Sequence, residues 1–383
     1  MSIDNLVNTI KKKVKTVLTK DDLKIPFFLD SGNYALNYIL SGSFFKGWPG
    51  GRVVELFGDP SAGKTLLMTH AIRAIQRRGG IAIIDDVEAS YDLELAQTLG
   101  VNPDQVLIVS SKTLEDYVDP ATKEKIAGHY STIRNIVDSI RKEDPKIPVL
   151  VCLDSLANLT TEHEVTTDLS TPDMSKAKVV KKFMRLMGGY IRESKICYII
   201  SNHIISTMNM YGNPDTTPGG KGVKFQASIR LELKQKEKLK DAEKVIGVKT
   251  KAYVAKSKIS PPFKSCLLDI IFDKGLERET GLFDMLKNEK IITKKNIQTY
   301  NVPGYEKAMY RKDIEALIKN DSFEFVKNLE KTINPDVVDT NIKIGVKMMS
   351  LDIKKQMAET NAEVSKTENK PVEDEAKTED KKD

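Results

Sequence analysis

Apolar positions along the chain fall into three successive textures. From Ile3 to Leu18 they recur at helical spacing, as Ile3, Leu6, Val7, Ile10, Val14, Val17 and Leu18, with Lys11, Lys12, Lys13 and Lys15 between them. That spacing predicts an amphipathic helix whose apolar stripe needs a partner surface. A short extended linker follows, broken by Pro26. Short solid apolar runs then alternate with longer amphipathic ones. Strands are expected at 52–57, 81–85, 106–109, 148–153 and 196–201, and helices at 65–77, 92–99, 124–142 and 175–193. This alternation describes a parallel sheet with helices on both faces. After Gly222 the texture becomes strand-like at 228–234, 250–257 and 266–272 without long helices between, which predicts an antiparallel extension. Short amphipathic helices return at 313–319 and 323–332. The expected partition is an N-terminal helix and linker whose apolar stripe needs a partner surface (1–30), an α/β core (31–280), a small C-terminal domain (281–350) and a charged disordered tail (351–383).

The first candidate chemistry lies between a predicted strand and helix. Residues 58 to 65 read Gly-Asp-Pro-Ser-Ala-Gly-Lys-Thr, the pattern G-x-x-x-x-G-K-[ST] in its proper context. Gly58 and Gly63 let the backbone bring its N–H groups against phosphate oxygens at a helix N-terminus, with Asp59, Pro60, Ser61 and Ala62 completing the cradle. Lys64 supplies a cation for the β- and γ-phosphates, and the Thr65 hydroxyl is a Mg²⁺ ligand. The chain is therefore read as binding a nucleoside triphosphate.

Composition narrows the setting more than the function. With 383 residues, 40% hydrophobic and 30% charged, the chain can build one large core and a smaller satellite. Cys152, Cys197 and Cys266 have no metal-ligand spacing and are expected as buried reduced thiols of a cytoplasmic protein. No apolar run reaches membrane-span length, and the first residues lack the apolar core of a secretory leader. A net charge of +6 is too mild to define a partner, so its distribution matters more.

That distribution is informative at 174–192. Val180, Phe183, Met184 and Met187 form one helical face, and Lys178, Lys181, Lys182 and Arg185 form a basic stripe opposite it. An unmixed stripe of this kind suits phosphate-backbone contact. Two polar loops flank the neighbourhood, 160–173 and 206–222, the second carrying Tyr211 among glycines in the manner of a base-stacking site. Asp154 ends the apolar run 149–153, where a carboxylate can hold Mg²⁺. The strand after the phosphate loop ends in Asp85, Asp86 and Glu88, any of which could orient a hydrolytic water.

Several further stretches occur together: Gly47-Trp-Pro-Gly-Gly-Arg52, Gly212-Asn-Pro-Asp-Thr-Thr-Pro-Gly-Gly220 and Lys256-Ser-Lys258-Ile-Ser-Pro-Pro-Phe-Lys264. With these, the span from about Ser31 to Asn296 resembles the RecA-type recombinases, and Asp173-Met-Ser-Lys-Ala-Lys178 is similar to the bacteriophage-encoded branch. The resemblance implies an α/β fold: a RecA-like P-loop core with a mostly parallel sheet, an antiparallel extension, an N-terminal helix and a small C-terminal domain. It also implies an ATP- and Mg²⁺-using, DNA-dependent ATPase that forms a helical filament on single-stranded DNA, pairs it with homologous double-stranded DNA, and meets single-strand-binding and loading proteins.

By position in the family, Glu88 orients the attacking water, with Lys64 as the catalytic cation and Asp154 near magnesium. Lys256 and Lys258 reach the neighbouring subunit's γ-phosphate. Asp92 and Phe272 pack around adenine. The two loops bind DNA, with Tyr211, Gly212, Asn213, Gly219 and Gly220 in the second. The sequence departs from the bacterial pattern in one extra residue before Glu88 and in Asn202-His203, where histidine stands for the usual glutamine. A ring helicase and a non-catalytic filament mediator share the core. The Lys-x-Lys segment argues against the first, and the intact Lys64, Thr65, Glu88 and Asp154 against the second.

Overall fold

Runs with no polar interruption become the central strands, because only a strand buried on both faces can be apolar at every position. A computed structural model describes residues 3–14, 23–167, 175–206, 215–216, 218, 220–337, 341–343 and 345–346. Helix α1 spans Ile3–Lys13, and its Ile3, Leu6, Val7 and Ile10 are exposed. A two-stranded ribbon, β1 (Phe28–Leu29) with β2 (Trp48–Pro49), brackets α2 (Tyr34–Ser41).

The core then runs β3 (Arg52–Gly58), α3 (Lys64–Arg77), β4 (Ile81–Asp86), α4 (Leu93–Thr98) and β5 (Val106–Val109). A small hairpin, β6 (Tyr117–Val118) with β7 (Lys125–Ile126), precedes α5 (His129–Glu143) and β8 (Val149–Asp154). Helices α6 (Glu162–Thr166) and α7 (Lys176–Ser194) lead to β9 (Cys197–His203), the ribbon β10 (Ile205–Ser206) with β11 (Asp215–Thr216), and α8 (Lys221–Gln226). The strands β12 (Ile229–Asp241), β13 (Lys244–Ser257), β14 (Ser265–Ile271) and β15 (Gly275–Leu276) follow. Helix α9 (Leu282–Asn288), the small sheet β16 (Thr293–Lys294), β17 (Thr299–Asn301) and β18 (Met309–Tyr310), α10 (Arg311–Asn320) and α11 (Ser322–Ile333) complete it.

The main sheet has nine strands in the order β15-β14-β13-β12-β3-β9-β8-β4-β5. Pairing is parallel from β12 through β5 and antiparallel from β12 to β15, as the textures require. Val149, Val151, Leu153, Tyr198 and Ile200 face the apolar sides of α5 and α7. Helix α7 buries Val180, Phe183, Met184, Met187 and Ile191 there, each contributing about 1.5–3 kcal/mol. Helix α3 packs on β4, β8 and β9 with Leu67, Met68, Ala71, Ile72 and Ile75 buried.

Four expectations shift. The extension strands expected at 228–234 and 250–257 form one longer hairpin, β12 running on to Asp241 and β13 starting already at Lys244. The helix predicted at 124–142 starts at His129, because Lys125–Ile126 form a strand and Gly128 lies against Glu115 so closely that a Cβ would sit 2.3 Å from its carbonyl oxygen. The loop expected at 160–173 begins with a helical turn, α6, closed by a reciprocal capping box between Thr161 and Glu164. The loop at 206–222 ends two residues early, where α8 begins at Lys221. The three cysteines are buried and free of disulfides.

Residues up to Val338 form one compact unit. Within it, α11 is tied to the opening segment: Glu330 Oε2 accepts from the Phe44 N–H at 3.0 Å, and the Phe323 ring lies 5.7 Å from that of Phe45. The second unit, Asp339–Asp383, contributes helical residues at 341–343 and 345–346, and the tail at 351–383 lies outside the described residues.

A buried ion pair clasps the two ends of the core. Asp30 accepts from Asn37 Nδ2 at 2.6 Å, from the Gly32 N–H at 3.2 Å and from Arg278. Burial raises the Asp30 carboxyl, but Arg278 with these hydrogen bonds outweighs it and holds the group below its ordinary value. Because the folded value is depressed, the pair's stabilisation is complete above about pH 4 and is lost as pH falls through the folded value. Asp30→Asn should cost about 3–5 kcal/mol in urea unfolding at neutral pH, since it leaves a buried guanidinium unpaired. A loss within error of zero would refute the clasp.

Candidate nucleotide and DNA site

In-register parallel pairing brings the strand ends to one edge. Gly58 pairs with His203 on one side and Leu233 on the other, and Asp86 pairs with Asp154. The phosphate loop leaves β3 at this edge. Gly58 has φ +145 and approaches β12 so closely that a Cβ would lie 1.9 Å from the Leu233 carbonyl oxygen. Gly63, at φ +95, precedes α3, and its missing Cβ leaves room for Ile270.

The antiparallel extension braces the loop. The Asp59 N–H donates to Leu233 O at 3.0 Å, and Asp59 Oδ2 accepts from the Gln235 N–H at 3.1 Å. Thr250 Oγ1 donates to Ala62 O at 3.1 Å. Pro60 and Ser61 are exposed at the tip. The Lys64 ammonium is buried and donates to Gly58 O at 3.2 Å and Asp59 O at 2.8 Å, so it lies inside the curve of the loop. Burial lowers its pKa, and the nearby Asp154, Glu88 and Asp59 charges partly restore it.

Asp154 joins three elements. Thr65 Oγ1 donates to its Oδ2 at 2.6 Å, and Ser201 Oγ of β9 donates to its Oδ1. Among the described residues, no group of three or more His, Cys, Asp or Glu side chains is arranged to hold a metal. A hydroxyl and one carboxylate suit Mg²⁺, which binds through few protein oxygens together with substrate phosphates and water. The glycine cradle, inward lysine and this oxygen pair fit a magnesium-bound triphosphate.

Of the three carboxylates at and just beyond the end of β4, only Glu88 turns toward this pocket. His203 Nε2 lies 2.9 Å from Glu88 Oε1 and 3.2 Å from Ser155 Oγ. Asp86 instead accepts from the N–H groups of Ser90 and Tyr91, at 3.1 and 2.9 Å, fixing the turn that carries Glu88. Asp85 points into the core. Asp92 caps α4, accepting from the Leu95 N–H at 2.9 Å, and the Phe272 ring is exposed just past β14.

A second layer binds this edge to the loop after β9. Asn202 Nδ2 donates to the buried Glu55 Oε1 at 3.0 Å and to Pro218 O at 3.2 Å, and Glu55 also binds Arg230. Lys256 Nζ donates to the carbonyls of Lys224 and Phe225 at 2.6 and 3.0 Å, and Lys258 Nζ to that of Phe225 at 3.3 Å. These are the last carbonyls of α8, where a cation is favoured. Burial, with Lys258 and Arg230 close by, lowers Lys256 to about 8.

Lys178, Lys181, Lys182 and Arg185 are exposed on α7, opposite its buried face. They line, with Gly222, Phe225 and Gln226, a hollow of about 270 Å³ between α7 and α8. Gly220 is exposed, whereas Tyr211, Gly212, Asn213 and Gly219 lie outside the described residues. Sequence reasoning did not reach Ser201, Ser155, Glu55 or Arg230. Polar residues interrupting apolar strands were their only signal.

Thr65→Ala should weaken nucleotide binding in Mg²⁺ by roughly 10–100-fold while leaving binding in chelator nearly unchanged, as read by calorimetric titration. Equal weakening in both conditions would remove the hydroxyl from the metal site.

Comparison with known proteins agrees with this geometry. The family model described as the RecA N-terminal domain matches residues 4–277. RecA of Acholeplasma laidlawii is 31% identical over 307 residues, covering 80% of this chain and 86% of that protein. RecA of Bacillus mycoides is 34% identical over 268 residues, covering 70% and 72%. RecA of Bacillus anthracis is 33% identical over 295 residues, covering 76% of each. With a family match across most of its length, at a strand edge built around a phosphate loop, this chain belongs to the RecA family.

Proposed function

We propose how this RecA-family chain divides its work among its residues. It is a DNA-dependent ATPase and recombinase, forming an ATP-dependent filament on single-stranded DNA and promoting homologous pairing and strand exchange. Gly58 to Thr65 hold the triphosphate, and Thr65 and Asp154 hold Mg²⁺, which when bound offsets phosphate charge. Glu88 accepts a proton from, and aims, the water that attacks the γ-phosphate. His203 holds the Glu88 carboxylate and links its aim to β9. Asp92 and Phe272 border the adenine. Lys256 and Lys258 reach the phosphates of a neighbouring subunit, and α1 with its exposed stripe docks on that neighbour.

The observation that carries this reading is the chain Glu88–His203–Ser155, standing at the same strand edge as Lys64, Thr65 and Asp154. The basic face of α7 meets the DNA backbone, and the second loop, tied to β9 through Asn202 and Pro218, meets the bases. ATP and DNA thereby favour one another reciprocally. The histidine after Asn202 supports a place nearer the phage-encoded branch. Loading and single-strand-binding proteins are then its partners, in a bacterial or infected-host cytoplasm. Among the described residues, no helix is long and apolar enough to cross a membrane.

Lys64→Ala should abolish DNA-stimulated hydrolysis and nucleotide-dependent filaments in electron micrographs. Glu88→Gln should lower turnover by about 10²–10⁴-fold while nucleotide still binds. Wild-type turnover in either variant overturns its assigned role. Replacing Lys178, Lys181, Lys182 and Arg185 together by alanine should reduce the salt-dependence slope of single-strand binding by about 3, at roughly 0.7 per phosphate contact. An unchanged slope removes the stripe from the DNA path.

A further inference from the structure

Beside the catalytic edge lies a polar cluster that the chemistry above does not use. His129, the first residue of α5, is fully buried. Its Nδ1 lies 2.5 Å from Asp85 Oδ2, and its Nε2 lies 2.6 Å from the Tyr198 hydroxyl. Asp85 Oδ1 accepts from the Ser111 N–H at 2.8 Å. Burial raises the Asp85 carboxyl, but His129 and Ser111 outweigh it and hold it below its ordinary value. Burial, with Asp85 and Cys152 nearby, pushes the Tyr198 phenol far up, so it keeps its proton.

Such a network is a poor way to add stability, since apolar residues of the same shape would often serve a core equally well. Its position points to another use. Asp85 adjoins Asp86, which fixes the turn carrying Glu88. Tyr198 lies on β9, the strand that ends at His203. The His129 ring meets Phe183 of α7 edge-on, at 5.6 Å and 66°. Phe183 belongs to the buried face of the helix whose outer face carries the basic stripe. The cluster therefore touches all three elements that converge on hydrolysis and DNA.

We propose that His129 is a positioning residue coupling the seating of α7 to the aim of Glu88, through Phe183 on one side and Asp85 on the other. A displaced α7 moves the Phe183 ring, and a close-packed core passes that displacement on instead of absorbing it. The short polar contacts carry it to the end of β4. The inference rests on the roles proposed above for Glu88 and the basic stripe.

Two mild variants test it. Tyr198→Phe removes one hydroxyl, and Phe183→Leu loosens the ring contact at the other end. ATP turnover would be measured with and without single-stranded DNA, alongside DNA affinity in a non-hydrolysable ATP analogue and thermal midpoint. The expected result is a loss of DNA stimulation of about fivefold or more in both variants, with DNA-free turnover and DNA affinity retained. A merely structural cluster would instead lower both turnovers in step with the thermal midpoint, which overturns the inference. Full stimulation in both variants overturns it alone, leaving the functional reading intact. Absence of stimulation in the unmutated protein overturns that reading and the inference with it.

Discussion

Parallel register is the constraint on which this site depends. Because β3, β9, β8 and β4 pair side by side in the same direction, their C-terminal ends share one edge, and each ends in a residue with chemistry to offer. Gly58, His203, Asp154 and Asp86 are brought together by backbone ladders, not by any affinity between their side chains. A slip of one residue in a single strand would turn its functional side chain to the opposite face. The solid apolar runs behind the edge resist such a slip, since both faces of each strand are buried.

The loop proposed to hold the phosphates is braced for a related reason. Gly58 lies against the β12 backbone with no room for a Cβ, and Asp59 and Ala62 are hydrogen-bonded to the antiparallel extension. The extension thus braces the G-x-x-x-x-G-K-T loop as well as continuing the sheet. At its far end the strand β13 delivers Lys256 and Lys258 to the last carbonyls of α8. One hairpin therefore contacts both the phosphate loop and the helix that follows the second polar loop. Asn202 adds a second tie, from buried Glu55 to Pro218.

Much of this was legible beforehand. All five predicted core strands form within about two residues of their expected limits, because uninterrupted apolar runs have few other ways to be buried. The phosphate loop was legible because its spacing is a direct statement of backbone geometry and charge. The helix at 124–142 was misjudged at its start because helical periodicity continued through residues that a close glycine approach diverts into a hairpin. The small helix α6 escaped notice because its signal is a four-residue capping box and not a period.

By itself, the sequence determined the sheet with its antiparallel extension, the phosphate loop, the opposed apolar and basic faces of α7 and, through its motifs, the RecA family. These are local properties, written in periods of two and 3.6 and in fixed spacings. Three carboxylates stand at and just beyond the end of β4, with nothing local to separate them. The tertiary structure gave each its own contact, sending Asp85 into the core toward His129, Asp86 to its own turn and Glu88, which family position alone had singled out, toward His203. It alone joined Thr65 and Ser201 on Asp154, across intervals of 89 and 47 residues. Contacts across such separations depend on which strand lies beside which, and that is decided when the whole sheet assembles.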